Sequence, residues 1–231
     1  MGSGGDQLPG LRGGAAPLRL IAIDGPAGSG KSTVARQVAA RLGLDYLDTG
    51  AMYRAVAFAA IRRGIDPDDV PTVARLATQV DLEVGGSVVT VDGVDATIEI
   101  RSPEVTRAVS VVAANPGVRQ ELVRRQRDWA DKHGGGVVEG RDIGSVVFPA
   151  AELKVYLTAD DHERAARRSQ EMLDMHFDQV AADIARRDHV DSTRSASPLA
   201  VADDAVSMDT TGRSVDEVVV AVLDLVARGR R

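Results

Sequence analysis

The chain has 231 residues, 44% hydrophobic and 27% charged, a balance typical of a globular protein with one α/β core or two small domains. A net charge of -6 argues against a nucleic-acid partner, and the absence of cysteine excludes disulfides and thiolate metal sites. The sequence has no run of 18 apolar residues, so we expect no membrane partner and a cytoplasmic location.

The first 18 residues differ in composition from the rest of the chain. They are rich in glycine and lack an apolar pattern that a core could bury. We therefore predict a disordered tail over residues 1–18 and a folded domain over residues 19–231.

The most informative stretch runs from the apolar segment Leu20–Ile23 through a glycine-rich turn into a helical pattern. Gly25, Gly30, Lys31 and Ser32 match G-x-x-x-x-G-K-[ST], in which backbone N–H groups and a helix start surround a polyphosphate. Lys31 would lie over the β- and γ-phosphates and Ser32 would bind Mg²⁺. As a loop cation, Lys31 is expected to contribute little packing.

We predict that the whole loop contacts the phosphates of a nucleotide. Its residues are Gly25, Pro26, Ala27, Gly28, Ser29, Gly30, Lys31, Ser32 and Thr33.

Helical spacing continues over residues 31–42, and a short strand is predicted over residues 44–47. Thr49 is the predicted N-cap of the next helix, residues 51–63, whose first turn carries Tyr53 and Arg54. Their positions alone leave open whether these two side chains bind a ligand or only pack and face solvent.

Residues 65–115 interrupt the alternation of strands and helices. A helix over about residues 70–80 is followed by alternating residues around Asp92-Gly93, a strong hairpin signal. We predict an inserted antiparallel subdomain, followed by helices over residues 103–113 and 116–132.

The core pattern resumes with a buried strand over residues 136–139, which ends in Gly140-Arg141-Asp142-Ile143-Gly144. Ligands collect at the carboxyl ends of parallel strands, so the charged pair Arg141-Asp142 is a site candidate.

The remaining predicted elements lie C-terminal to this turn. We interpret the arginine-dense helices over residues 161–173 and 180–189 as a mobile flap. The other elements are a strand over residues 153–157, a strand over residues 205–209 and a closing helix over residues 214–228.

Four stretches together resemble one family, the bacterial cytidylate kinases. They are IAIDGPAGSGKST; LDTGAMYRA; VSVVAANPGVRQELVRRQR with EGRDIGSVVFP; and RRDHVDSTRSASPL with DTTG. The resemblance implies a P-loop NTPase-type parallel sheet flanked by helices, with a nucleoside-monophosphate-binding insertion at residues 65–115 and a helical lid at residues 161–199.

The same resemblance implies the reaction. The γ-phosphoryl group of ATP would pass to CMP or dCMP with Mg²⁺ as cofactor, giving ADP and CDP or dCDP, on a monomeric enzyme.

Matched positions imply residue roles. Ser110, Arg119 and Asp142 would read the cytosine ring, and Asp191 would hold the sugar hydroxyl. The implied CMP-binding set is Thr49, Tyr53, Arg54, Ser110, Arg119, Arg141, Asp142, Arg187, Asp191 and Arg194. The implied catalytic set is Lys31, Arg141, Arg187 and Arg194.

The chain departs from the family pattern in the lid at two places. The segment over residues 168–179 is shorter than the matching segment of many relatives, and Thr193 stands where asparagine is commoner. Two alternative functions remain open at this point. One is a related kinase for UMP or another small acceptor. The other is a GTPase switch, suggested by the D-x-x-G of residues 209–212, although the Asn-Lys-x-Asp motif for guanine is missing.

Overall fold

A computed structural model describes residues 19–86, 88–171, 177–193 and 199–229. The predicted tail, residues 1–18, lies outside the described residues, and so does Arg194. Within the described ranges, no helix combines the length and apolar character that crossing a bilayer requires.

The centre of the fold is a five-stranded sheet in which every pair of neighbouring strands is parallel. Its strand order is β2-β6-β1-β7-β8. This confirms the predicted fold class. The strands are β1 (Arg19–Asp24), β2 (Tyr46–Asp48), β6 (Gly135–Gly140), β7 (Leu153–Thr158) and β8 (Val206–Asp209).

Helices cover both faces of this sheet. Alternate residues of β1 point to opposite sides, and the apolar residues on each side pack against a different set of helices. Ile21 and Ile23 pack with α1 (Lys31–Leu42) and α8 (Val215–Gly229). Leu20 and Ala22 belong to the second core. That core contains α2 (Thr49–Arg62), α3 (Val70–Gln79), α4 (Pro103–Ala114) and α5 (Pro116–His133).

The insertion forms a separate antiparallel sheet, as its alternating pattern predicts. Its strands are β3 (Leu82–Gly85), β4 (Val88–Val91) and β5 (Val94–Asp95). Asp92 and Gly93 both have positive φ, 52° and 73°, which suits the two-residue turn between β4 and β5. A 3₁₀ turn, Glu99–Arg101, leads on to α4.

The N-cap prediction for α2 was wrong. Asp48 caps the helix, since its side chain accepts a hydrogen bond from the N–H of Ala51 at 2.9 Å. The Thr49 hydroxyl instead donates to the carbonyl oxygen of Glu139 in β6 at 2.7 Å. The hydroxyl of Thr49, the predicted cap, is therefore bonded to strand β6 and not to the start of its own helix.

A pair of helices and one irregular turn complete the described fold. Helices α6 (Asp161–Glu171) and α7 (Phe177–Thr193) form the predicted pair, but α7 begins before residue 180 and continues past His189 to include Asp191. A π-type turn, Ile143–Val147, follows β6 and was not predicted.

The α6–α7 pair also packs better than its arginine-rich sequence suggests. Ala165, Val180 and Ile184 are buried in a small cluster with Ala27 of the glycine-rich loop.

Candidate active site

A cavity of about 340 Å³ opens where the loop after β1, the start of α2 and the turn after β6 meet. Every predicted CMP-binding residue that the structure describes lines it: Thr49, Tyr53, Arg54, Ser110, Arg119, Arg141, Asp142, Arg187 and Asp191. The loop residues on its wall are Ala27, Gly28, Gly30, Lys31, Ser32 and Thr33. Gly25, Pro26 and Ser29 lie behind that wall.

The glycine-rich loop has a shape that only glycine allows at two positions. Gly25 has φ +147°, and a Cβ atom there would lie 2.0 Å from the carbonyl oxygen of Leu157. Gly28 has φ +74°, and its Cβ would lie 2.5 Å from the carbonyl oxygen of Arg164. The loop is thereby held between β7 and α6 and delivers the N-terminus of α1 to the cavity, an arrangement suited to an anion.

Lys31 is buried, contrary to the expectation of a loop cation with little packing. Its Nζ donates to the carbonyl oxygen of Pro26 at 2.6 Å. Burial, and then the charge of Arg141, lower the pKa of Lys31. A bound phosphate would stabilise this ammonium, because its negative charge opposes both effects.

Two carboxylates, Glu139 and Asp48, line the cavity together with Ser32, and the sequence analysis missed both. Glu139 is buried and accepts a hydrogen bond from the Tyr46 hydroxyl at 2.7 Å, and Ser32 also bonds to it. Burial, and then the charge of Asp48, raise the pKa of Glu139. Glu139 lies near the end of β6 and Asp48 ends β2, so the carboxyl-end rule that selected Arg141 would have selected them too.

Oxygen donors of this kind fit Mg²⁺. Ser32, Glu139 and Asp48 supply a hydroxyl and two carboxylates on one side of the cavity. The described residues contain no cluster of three His, Cys, Asp or Glu side chains that would enclose a metal.

Part of the cavity wall is rich in arginine, with Arg54, Arg168 and Arg187 among its residues. Arg54 donates to Thr106 Oγ1 at 2.9 Å and to the carbonyl oxygen of Ile100 at 3.0 Å. Burial, and then Arg187 and Arg168, lower the pKa of Arg54 to about 9. Burial and Arg141 lower the pKa of Arg187 to about 10. Like charges gathered in this way favour a bound anion. Arg168 was not singled out from the sequence.

Arg141 connects this wall to the glycine-rich loop. Its Nη1 donates to the carbonyl oxygen of Gly25 at 2.7 Å, and its Nε donates to Asp191 on α7 at 2.8 Å. Asp191, predicted to hold a sugar hydroxyl, is thus the ion-pair partner of Arg141.

Arg119 and Asp142, predicted to contact the base, form a buried ion pair with each other. The Arg119 guanidinium also lies 5.7 Å from the centre of the Tyr53 ring. Each member therefore compensates the buried charge of the other.

Asp24, the last residue of β1, is buried beneath this pair and was missed by the sequence analysis. Its two oxygens accept the N–H groups of Ile143 at 2.8 Å and Gly144 at 2.7 Å. Burial raises the pKa of Asp24 to about 6, although both hydrogen bonds oppose the shift.

The raised pKa of Asp24 predicts a pH dependence of stability. Because the folded-state pKa lies above the ordinary value of 3.8, its stabilising effect is complete below about pH 4 and lost as pH rises through about 6. The free energy of unfolding of the parent, minus that of Asp24→Asn, should fall by roughly 3 kcal/mol over this window, at about 1.4 kcal/mol per pKa unit. Urea unfolding of both proteins from pH 4 to pH 7 measures it, and a flat difference would contradict the assignment.

The α6–α7 pair contacts the loop through Arg164 and Asp188. Asp188 accepts the N–H of Ala27 at 3.1 Å and pairs with Arg164, which donates to the carbonyl oxygen of Ala27 at 2.9 Å. Both sides of the Ala27 peptide are therefore bonded to this pair of helices.

A parallel sheet with this loop, a buried lysine and arginines that line the same cavity defines a P-loop kinase of the nucleoside monophosphate type. The family model described as cytidylate kinase matches residues 21–228. The chain belongs to the cytidylate kinase family.

Curated relatives are similar over almost the whole chain. A cytidylate kinase of Pelotomaculum thermopropionicum is 52% identical over 223 residues, covering 91% of this chain and 97% of that protein. One of Desulforamulus reducens is 49% identical over 219 residues, covering 92% and 98%. A bifunctional pantoate ligase/cytidylate kinase of Parasynechococcus marenigrum is 51% identical over 215 residues, covering 89% of this chain and 43% of that protein.

Among solved structures, an uncharacterized protein from Eubacterium ventriosum superimposes with a TM-score of 0.50 at 11% identity, covering 90% of this chain and 98% of that one. This likeness bears on the fold alone. Family membership does not favour either the GTPase switch or a kinase for another acceptor.

Proposed function

We propose that the protein transfers the γ-phosphoryl group of ATP to the phosphate of CMP or dCMP, giving ADP and CDP or dCDP. The observation that carries this proposal is the layout of one cavity. Lys31 of the phosphate loop, the Arg119–Asp142 pair and three further arginines line this one cavity, the three being Arg54, Arg141 and Arg187. Transfer of label from [γ-³²P]ATP to CMP tests it directly, and ATP hydrolysis without labelled CDP would contradict it.

Phosphoryl transfer of this kind needs positioning and positive charge more than covalent chemistry. We assign Lys31, Arg141 and Arg187 to the charge that develops on the transferred group, and extend this role to Arg194 on the resemblance alone. The acceptor is already an anion, so no general base is required.

Mg²⁺, when bound, would neutralise charge on the donor phosphates, and Ser32 would hold it with Glu139 and Asp48 alongside. The loop from Gly25 to Thr33 would orient the ATP phosphates through its N–H groups and through Lys31.

Residues 161–199 would act as a lid, and residues 65–115 would close over the acceptor nucleotide. The contacts of Arg164 and Asp188 with Ala27 support this proposal, because they join the lid helices to the phosphate loop. Closure would exclude water, which could otherwise accept the phosphoryl group. The monomeric state stays a prediction.

The lid gives a prediction with a matched control one residue away. Arg187 faces the cavity, whereas Arg186 is 55% exposed and pairs with Asp183. Arg187→Ala should lower kcat about tenfold to a hundredfold through loss of a charged contact made in the transition state, with KM for ATP changed less than about threefold. Arg186→Ala should leave both constants near those of the parent.

Steady-state kinetics with ATP varied at saturating CMP separate the two constants. A loss confined to KM would make Arg187 a ground-state anchor and would contradict the assigned role.

A further inference from the structure

The turn that carries Arg141 and Asp142 is hydrogen-bonded to the end of β1 and the start of the phosphate loop. Three hydrogen bonds connect it to residues 24 and 25 of the first strand and loop. Two run from the N–H groups of Ile143 and Gly144 to the Asp24 carboxylate, and one runs from Arg141 Nη1 to the carbonyl oxygen of Gly25.

Asp24 does not itself face a ligand. It is 6% exposed, it is absent from the cavity wall, and each of its carboxylate oxygens accepts one of these N–H groups. Its contacts lie one and two residues beyond Asp142.

The register of the sheet explains why an acidic residue is suited to this position. Asp24 ends β1 beside Gly140, where β6 also ends, so the turn after β6 passes over the Asp24 side chain. The π-type turn leaves the N–H groups of Ile143 and Gly144 without helical partners, since its own bonds begin at Val146 and Val147. The Asp24 carboxylate satisfies both donors, one with each oxygen.

We propose that Asp24 is a positioning residue for base recognition, which fixes Asp142 and its partner Arg119 relative to the phosphate loop. This inference rests on the proposed reading of cytosine by Asp142. It adds that Asp24, which ends β1 directly before the phosphate loop, also holds the turn after β6 that carries Asp142. The strand β1 would therefore help to set specificity for the acceptor nucleotide.

Asp24→Asn tests the proposal with little change of shape. The amide presents one acceptor and one donor, so one of the two N–H groups loses its partner and faces an NH₂ group. We expect kcat/KM for CMP to fall about tenfold to a hundredfold, and the preference for CMP over UMP to fall by about tenfold or more. KM for ATP should change less than about threefold.

Val222→Ala is the control for general loss of stability. Val222 is fully buried on α8, in the core on the opposite face of the sheet from α2 and α5. This variant should lower the melting temperature and leave the CMP to UMP ratio at the parental value. In an Asp142→Ala background, Asp24→Asn should change that ratio less than about threefold, because Asp24 acts through Asp142.

The possible outcomes are distinguishable. A folded Asp24→Asn variant with the parental CMP to UMP ratio overturns this inference alone. A parent that does not discriminate between CMP and UMP overturns the base-reading proposal and this inference with it. If Asp24→Asn does not fold, hydrogen exchange of the Ile143 and Gly144 amides in the parent decides. Protection supports the proposal, and exchange as fast as in an unstructured loop overturns it.

Discussion

Lys31→Met is expected to lower kcat about a hundredfold to a thousandfold, the effect of removing one preorganised charge from the transferred phosphoryl group. Methionine retains most of the buried side-chain volume, so the change removes the ammonium rather than the packing. Lys132→Met, an identical change at an exposed lysine near the end of α5, should leave turnover unchanged.

The stability of Lys31→Met should not fall. Burial and Arg141 lower the pKa of Lys31, so the folded protein without ligand disfavours the charged form that the unfolded chain carries at pH 7. The melting temperature at pH 7.5 should therefore equal or exceed that of the parent. Calorimetry and turnover on the same sample check both statements, and near-parental turnover would refute the role of the phosphate loop.

Asp142→Ala is expected to remove the distinction between CMP and UMP. An ionised carboxylate can only accept hydrogen bonds, so Asp142 suits the N4 amino group of cytosine and opposes the O4 carbonyl of uracil. An unpaired buried polar group costs about 1–3 kcal/mol, or about tenfold to a hundredfold in kcat/KM. The expected result is a large loss with CMP and a much smaller one with UMP.

The same change should also destabilise the protein. Arg119 and Asp142 form a buried ion pair, and removal of one member of such a pair typically costs about 3–5 kcal/mol. Asp128→Ala is a matched control, because Asp128 is also paired with an arginine but is 60% exposed. It should change neither the CMP to UMP ratio nor the stability by more than about 1 kcal/mol. An unchanged ratio in Asp142→Ala would refute the assignment.

The sequence predicts most elements of this fold because their signals are local. The phosphate loop requires glycine between a strand and a helix, and Asp92-Gly93 specifies its own turn. The α2 cap was mispredicted because Asp48 and Thr49 are both good N-caps, and the choice between them depends on a carbonyl group of β6, 90 residues away. The π-type turn depends on Asp24 in the same way, through bonds that span 119 and 120 residues.

The residues of the candidate site likewise divide into those that the sequence indicates and those that depend on contacts between distant segments. Arg54, Arg119 and Asp142 could be placed through resemblance to a family, and the structure brings them to one cavity. The carboxyl-end rule would also have selected Asp24, but a single acidic residue before a glycine-rich loop carries no sign that its carboxylate bonds to a turn elsewhere. The burial of Lys31 was likewise hidden, since it results from packing of the loop against β7 and α6.

The most direct test of the account is kcat/KM for CMP, dCMP, UMP, AMP and GMP, each with ATP and Mg²⁺. Recognition of cytosine by Asp142 and Arg119 predicts that CMP and dCMP are good acceptors, that UMP is at least about tenfold poorer, and that AMP and GMP are negligible. Equal use of UMP and CMP would contradict it.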